Sequence, residues 1–167
     1  RRVALDSLFS ILTEQGASFS MAFWDDICHD VLFPIFNVLR NRSDVTRFTT
    51  QEDMSVWLST TMIQALRQLV VLWTHFFDTL KPRLSGLLVL LCACICQEND
   101  TLARIGTSCL QALIVKNMTR MDDECWQQVI DAFLRLFRAT TASQVFDPSL
   151  SSPEDVMPAQ ERRQAFK

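Results

Sequence analysis

The sequence predicts an all-α protein on the strength of three observations. The chain of 167 residues holds only 3 glycines and 5 prolines, so few sharp turns are available for a many-stranded β fold. Leucine, isoleucine, valine and phenylalanine recur at helical spacing along most of its length. With 49% hydrophobic residues, the chain is also long enough to bury the core of one domain.

The first part of the chain predicts two helices. Apolar residues recur at helical spacing through residues 1–15, and Gly16 follows as a stop. Ser18 or Ser20 is placed to cap the second helix. Pro34 lies inside this second pattern, where it removes a backbone donor and crowds the preceding turn. We therefore expect a kink or a break at Pro34.

Four further helices follow a polar, aperiodic loop at residues 41–53. Asp100 is the predicted N-cap of the fifth helix, and Asp122 or Asp123 caps the sixth. Residues 141–167 hold three of the five prolines and little apolar content, so they predict a linker or tail. The apolar patterns give approximate bounds for these four helices of 52–77, 81–97, 100–117 and 122–140.

The two ends of the helical region resemble each other. A shift of about 102 residues superimposes the first two predicted helices on the last two without a gap, and it brings Trp24 onto Trp126. The implied unit of about 50 residues is slightly longer than the about 40 to 47 residues of HEAT and armadillo repeats. This pattern predicts an α-solenoid of about three antiparallel helix pairs over residues 1–140. The alternative is a chance match, because any two amphipathic helix pairs in phase agree partly.

Three cysteines alternate near the end of the predicted fourth helix. Cys92 and Cys96 share one face of a helix, while Cys94 points nearly opposite. A zinc site needs converging ligands, so this spacing favours packing in the core over metal or redox chemistry. No secretory signal is visible, and we expect all six cysteines to be reduced and cytosolic.

No catalytic or cofactor motif is present. Cys28 and His29 are adjacent and lie about 100° apart on a helix, without a glycine-rich elbow beside them. Phosphate loops, GxGxxG and HExxH are absent from the sequence. We therefore predict that this chain is not an enzyme and binds neither cofactor nor metal.

The charge argues against nucleic-acid binding, and the hydropathy argues against a membrane-spanning segment. The net charge of −3 and the pI near 5.3 argue against a nucleic-acid binder, which normally carries a basic stripe. The longest apolar run, residues 84–96, falls short of the about 20 residues that a membrane span needs. We expect this run to form a core helix.

The segment "QENDTLAR" is the most polar cluster between two predicted helices. Two interpretations stay open: helix capping with an i,i+4 ion pair, or a ridge that contacts a partner. The candidate contact residues are Gln97, Glu98, Asn99, Asp100 and Arg104.

Three stretches carry a family resemblance: "FWDDICHDVLFPIF" (23–36), "WLSTTMIQALRQLVVLWTHFFDTL" (57–80) and "CICQENDTLARIGTSCLQALIVKN" (94–117). They resemble the large late-Golgi Arf guanine nucleotide exchange factors of the BIG type, in the region downstream of the catalytic exchange domain. The resemblance covers about residues 1–146. It implies a non-catalytic regulatory and protein-interaction module, because nothing here resembles the glutamate finger of the exchange domain.

The resemblance also implies partners and a location. The expected partners are small GTPases of the Arf, Arf-like or Rab type and other helical blocks of the same exchange factor, with a homodimer as a further possibility. A scaffold or self-association segment without direct GTPase binding is the alternative function. The implied location is the cytoplasm, with peripheral attachment to the trans-Golgi network.

Overall fold

All regular structure described in the computed structural model is helical, which confirms the all-α prediction. The model describes residues 2–39, 61–97 and 99–141. The predicted loop at 41–53, the start of the third helix and all but Thr141 of the predicted tail therefore lie outside the described residues. The principal α-helices are α1 (Arg2–Gln15), α2 (Met21–Asp26), α3 (Ile63–His75), α4 (Leu84–Ile95), α5 (Asp100–Asn117) and α6 (Asp123–Thr140). A four-residue α-helix, Phe77–Leu80, and a 3-10 turn, Lys81–Arg83, lie between α3 and α4.

The second helix breaks at Pro34, as predicted. Helix α2 continues into a π-helical segment, Ile27–Leu32, and a 3-10 segment, Pro34–Leu39, follows. The Phe33 amide donates to the Cys28 carbonyl at 3.0 Å, one residue further back than in an α-helix. A proline ring crowds the carbonyl four residues before it, so this widening of the turn accommodates Pro34.

Two predicted N-caps are confirmed. The Ser20 hydroxyl accepts from the Phe23 amide at 3.2 Å at the start of α2. The Asp122 carboxylate accepts from the Cys125 amide at 3.0 Å at the start of α6. Each cap satisfies an amide that the helix itself leaves without a partner.

Helix α1 ends at Gln15 as predicted, but Gly16 is required for packing rather than for backbone freedom. None of the described glycines has a positive φ. A Cβ atom on Gly16 would lie 2.6 Å from Cζ2 of Trp24 and 2.7 Å from the ring of Phe76. The Trp24 indole also donates to the Gly16 carbonyl at 3.2 Å. This fully buried tryptophan therefore lies directly against the glycine backbone.

The helices pack in two rows. Helix α3 lies between α1 and α5 in one row, and α4 packs against α6 in the other. Helix α4 also packs on α5 and on the 3-10 segment Pro34–Leu39, which joins the two rows. The side chains that are most completely buried come from every part of this arrangement and include Trp24, Phe36, Leu66, Trp73, Leu84 and Leu113.

The ungapped repeat is wrong for the first helix of each copy. The 102-residue shift brings the exposed Ile11 onto the buried Leu113. A shift of 101 residues pairs Leu113 with Leu12, which is buried as well. The N-caps Ser20 and Asp122 nevertheless keep the 102-residue spacing. The buried positions of the first helix therefore match at a shift of 101 residues, and the N-caps of the second match at a shift of 102.

Replacing Gly16 by alanine tests the close packing at the end of α1. Away from contacts this change stabilises a protein, because it restricts the unfolded chain. Here the new methyl group must displace Trp24 or Phe76. We expect Gly16→Ala to lower the free energy of unfolding by about 1–3 kcal/mol in urea denaturation. The exposed Ala17→Ser is the control, and an increase in stability for Gly16→Ala would contradict this packing.

The ion pair between Lys81 and Asp122 gives the fold a pH dependence. A hydrogen bond from Lys81 at 2.7 Å, together with the Cys125 amide, holds the pKa of the Asp122 carboxyl well below its ordinary value of 3.8. A lowered folded-state pKa stabilises the fold above the unfolded-state pKa, and this stabilisation disappears as the pH falls. We expect the Tm of the wild-type chain to approach that of Asp122→Asn as the pH drops below about 4. A Tm difference that is independent of pH would contradict the assignment.

Candidate interaction surface

The predicted contact residues lie where α4 gives way to α5. Asn99, Asp100 and Arg104 are exposed, whereas Gln97 is half-buried and donates from Nε2 to the Ala93 carbonyl at 3.0 Å. Glu98 lies outside the described residues. We call Gln97, Asn99, Asp100 and Arg104 the polar ridge.

The prediction of Asp100 as the N-cap of α5 is wrong. Asn99 has the extended backbone of a cap residue, and its Oδ1 accepts from the Leu102 amide at 3.0 Å. Asp100 is the first residue of the helix, where its charge lies near the positive end of the helix dipole. Its Oδ2 lies 2.9 Å from Nε of Arg104, so the predicted i,i+4 ion pair is confirmed. This geometry is therefore compatible both with helix capping and an ion pair and with a contact between the exposed ridge and a partner.

The cysteines of α4 are partly explained by packing. Cys94 is fully buried, and burial raises the pKa of its thiol to about 12, so it stays protonated at neutral pH. Cys92 is half-buried, and its thiol lies 3.8 Å from the Ala132 carbonyl. Cys96 is exposed, so the expectation that it packs in the core is wrong. The helix ends at Ile95, and Cys96 follows at the surface.

All six cysteines are free thiols in the structure. Within the described residues, no group of three or more histidine, cysteine or acidic side chains could hold a metal ion. Over the same ranges, no helix combines the length and apolarity needed to cross a bilayer.

A depression lies over α4, and we call it the α4 groove. Its volume is about 640 Å³. Residues from the π-helical segment and the turn after it form one wall, α4 forms the floor, and α6 contributes the opposite wall. The lining residues are His29, Asp30, Phe33, Pro34, Ser85, Gly86, Val89, Leu90, Ala93 and Arg135.

Small side chains on α4 create the groove. Ser85, Gly86 and Ala93 fill little space above the helix backbone, and Val89 between them is partly exposed. The Phe33 ring packs so closely on Gly86 that a Cβ atom there would lie 2.9 Å from Cζ of the ring. Because the break at Pro34 brings Phe33 to this position, the sequence of the π-helical segment determines the shape of the first wall.

The two walls of the groove carry opposite charges. On one wall, Nδ1 of His29 lies 2.5 Å from Oδ1 of Asp30. On the other wall, Arg135 is exposed and forms no ion pair within the described part of the chain. An apolar floor between opposite charges suits the docking of a protein segment that brings an acidic group to Arg135.

The groove and the polar ridge adjoin. Ala93 lines the groove, and its carbonyl accepts the hydrogen bond from Gln97 of the ridge, one helical turn further along. The sequence predicted the ridge from its polarity but missed the groove. The available signals were the small residues at positions 85, 86 and 93 and the proline at position 34.

The chain is similar to three proteins over most of its length. It is 50% identical over 147 residues (88% of this chain) to the ADP-ribosylation factor guanine nucleotide-exchange factor SEC7 of Saccharomyces cerevisiae. It is 40% identical over 87% of its length to the ADP-ribosylation factor guanine nucleotide-exchange factor sec72 of Schizosaccharomyces pombe. Brefeldin A-inhibited guanine nucleotide-exchange protein 3 of Arabidopsis thaliana is 30% identical over 94% of the chain.

These similarities concern a small part of each relative. The chain spans 7%, 8% and 9% of the lengths of these three proteins, in the same order. No family model matches the chain. No solved structure matches it either.

Two alanine substitutions separate the roles of Asn99 and Asp100. We expect Asn99→Ala to lower the free energy of unfolding by about 1 kcal/mol, because the Leu102 amide loses its acceptor. Asp100→Ala removes an exposed i,i+4 pair and should cost only about 0.3–0.5 kcal/mol. Thermal or urea unfolding followed by circular dichroism measures both. The reverse order of the two losses would restore Asp100 as the cap.

Proposed function

Because the chain is homologous to a segment of the large ADP-ribosylation factor guanine nucleotide-exchange factors of the Sec7 and BIG type, we propose that it is a non-catalytic regulatory and interaction segment of such an exchange factor. The observation that carries the proposal is the 50% identity over 88% of the chain. In this proposal the segment is part of an exchange factor that attaches peripherally to the membrane of the trans-Golgi network and acts there in vesicle traffic.

The ion pairs support a non-catalytic role. Exchange in the family implied by the resemblance depends on a glutamate finger, and no motif in this chain resembles one. Arginine or lysine instead pairs with four described aspartates, and three of these pairs join segments that are far apart in the sequence. The pairs are Asp25 with Arg83, Asp78 with Arg120, Asp122 with Lys81 and Asp100 with Arg104.

The two rows of helices support a solenoid. In a stack of helical hairpins, the first helices of successive hairpins form one layer and the second helices form the other. Helices α1, α3 and α5 follow this pattern, as do α4 and α6. We assign residues 1–140 to three such hairpins, with residues 141–167 as the linker or tail that the sequence predicts.

The α4 groove and the polar ridge are the proposed contact surface for small GTPases of the Arf, Arf-like or Rab type. GTPase switch segments are ordered by the γ-phosphate of GTP and released on hydrolysis. A groove that receives side chains from an ordered switch segment would therefore bind the GTP form in preference to the GDP form. Arg135 on one wall and Arg104 on the ridge supply the cations that such a contact requires.

The second candidate function is a scaffold that joins other helical blocks of the same exchange factor. The exposed apolar side chains of α6 favour it, because they lie outside the groove and form a surface of their own. In that case the segment organises the exchange factor without touching a GTPase.

Retention on immobilised GTPases tests the proposed contact. Purified chain is passed over Arf, Arf-like and Rab proteins, each loaded with a GTP analogue or with GDP. We expect retention by the GTP form of at least one, and we expect Val89→Asp to reduce it at least tenfold by placing a charge on the groove floor. Val115→Asp is the matched control, because Val115 is exposed on α5 away from the groove.

Two outcomes would contradict GTPase binding at the α4 groove. Retention by none of the GTPases would favour the scaffold function. Equal loss of retention in Val89→Asp and Val115→Asp would show that the groove is not the contact surface. Circular dichroism of both variants verifies that each remains folded.

A further inference from the structure

Two thiols lie one helical turn apart on the same side of α4, at the end of the helix. Cys92 and Cys96 are four residues apart, so their side chains are neighbours along one helical face. The Cys96 amide donates to the Cys92 carbonyl at 3.0 Å, so one hydrogen-bonded turn connects the two residues. We call Cys92 and Cys96 the thiol pair.

The thiol pair differs from the other cysteines in its access to solvent. Among the six cysteines, all of which the structure describes, Cys96 alone is exposed, and Cys92 is half-buried. The other four are buried, and burial raises the pKa of Cys28 to about 11 and that of Cys94 to about 12. Because the thiolate is the reactive form, a thiol reagent in solution reaches Cys96 first.

The surroundings of Cys92 show that a second thiol and a cation are close to it. Burial raises the pKa of the Cys92 thiol, the adjacent Cys96 raises it further, and Arg135 of α6 acts in the opposite direction. Electrostatic effects of this kind act over short distances. Cys92 therefore has a partner for a disulfide on its own helix and a guanidinium on α6 that favours its thiolate.

The end of α4 can accommodate a disulfide between these two positions. Cα atoms four residues apart in an α-helix are separated by about 6 Å, within the range of about 4.4–6.8 Å found across disulfides. The Cβ atoms, about 5–6 Å apart on a helix, must approach to about 3.5–4.5 Å. Cys96 can make this movement because α4 ends at Ile95, and the Cys96 backbone, with φ −83° and ψ 10°, already departs from the helix.

We propose that the thiol pair is a site of reversible oxidation, at which a low-molecular-weight disulfide such as oxidised glutathione converts Cys92 and Cys96 into an intramolecular disulfide. The Cys96 thiolate attacks one sulfur of oxidised glutathione, which forms a mixed disulfide and releases one glutathione thiolate. Cys92 then attacks the Cys96 sulfur, and the second glutathione leaves. The two protons of the pair go to the two glutathione thiolates, so two electrons pass from the pair to one glutathione disulfide.

The oxidised pair lies beside the junction of the α4 groove and the polar ridge. Gln97 follows Cys96 directly, and its side chain donates to the carbonyl of Ala93, which lines the groove. Closing the last turn of α4 strains the helix end, so we expect the disulfide to be reduced easily. This inference goes beyond the proposed function and does not depend on GTPase binding, so either can fail without the other.

Thiol counting by mass spectrometry tests the proposal on the 167-residue chain. The chain is incubated with oxidised glutathione, quenched with acid, denatured and alkylated. We expect two of the six thiols to escape alkylation, and the unalkylated chain to be lighter by about 2 Da, because two thiol hydrogens are lost. Dithiothreitol should restore both thiols. Fragmentation of the proteolytic peptide that contains α4 should identify the link between Cys92 and Cys96.

Serine and alanine variants separate the roles of the two thiols. Cys92→Ser lacks the second nucleophile, so we expect it to retain one glutathionyl group on Cys96. Cys96→Ser should keep all its remaining thiols reduced. Cys94→Ala is the matched control, because Cys94 lies on the opposite side of the same helix, and it should form the disulfide as the wild-type chain does. Circular dichroism verifies that each variant is folded.

Three results with the wild-type chain would overturn the proposal, whatever the variants do. The first is alkylation of all six thiols after incubation with oxidised glutathione. The second is a glutathionyl group that stays on Cys96, which would show that Cys92 does not reach it. The third is a disulfide that includes a cysteine outside the thiol pair.

Discussion

The burial of α4 is the constraint on which the rest of the fold depends. Leu84, Leu87, Leu91 and Cys94 are fully buried along one face of this helix, and Leu88 and Leu90 are buried on either side of that face. Removing so much apolar surface from water requires neighbours on several sides, and α5, α6 and residues 34–39 supply them. The remaining side of α4 carries small residues, so the same helix that holds the core together also forms the floor of the groove.

Local signals in the sequence account for most of the helix bounds, and they fail where tertiary contacts decide. The sequence predicts Ser18 or Ser20 and Asp122 or Asp123 as caps, because each precedes an apolar pattern, and the structure selects Ser20 and Asp122. At α5, two cap-forming residues are adjacent, and only the extended backbone of Asn99 identifies the cap. The sequence predicts Gly16 only as the stop of the first helix, and the packing that requires glycine there involves Trp24 and Phe76, which come from other elements.

The α4 groove could not be predicted from the sequence, because tertiary contacts also decide its shape. Its walls come from segments about a hundred residues apart, and no pattern in either segment shows that His29 faces Arg135 across α4. The polar ridge could be predicted because its residues are contiguous. The opposite error occurred at Cys96, where an apolar pattern predicted burial, but α4 ends one residue earlier and leaves the thiol exposed.

The α4 groove and the polar ridge together form the proposed contact surface for a GTPase. Hydrogen exchange of the chain with and without a GTP-loaded Arf protein tests the central assignment, because it reports where binding suppresses local opening. The account predicts slower exchange in residues 27–36 and 84–95, which form the groove, and no change in α1. Unchanged exchange in both groove segments while the GTPase is bound would contradict it.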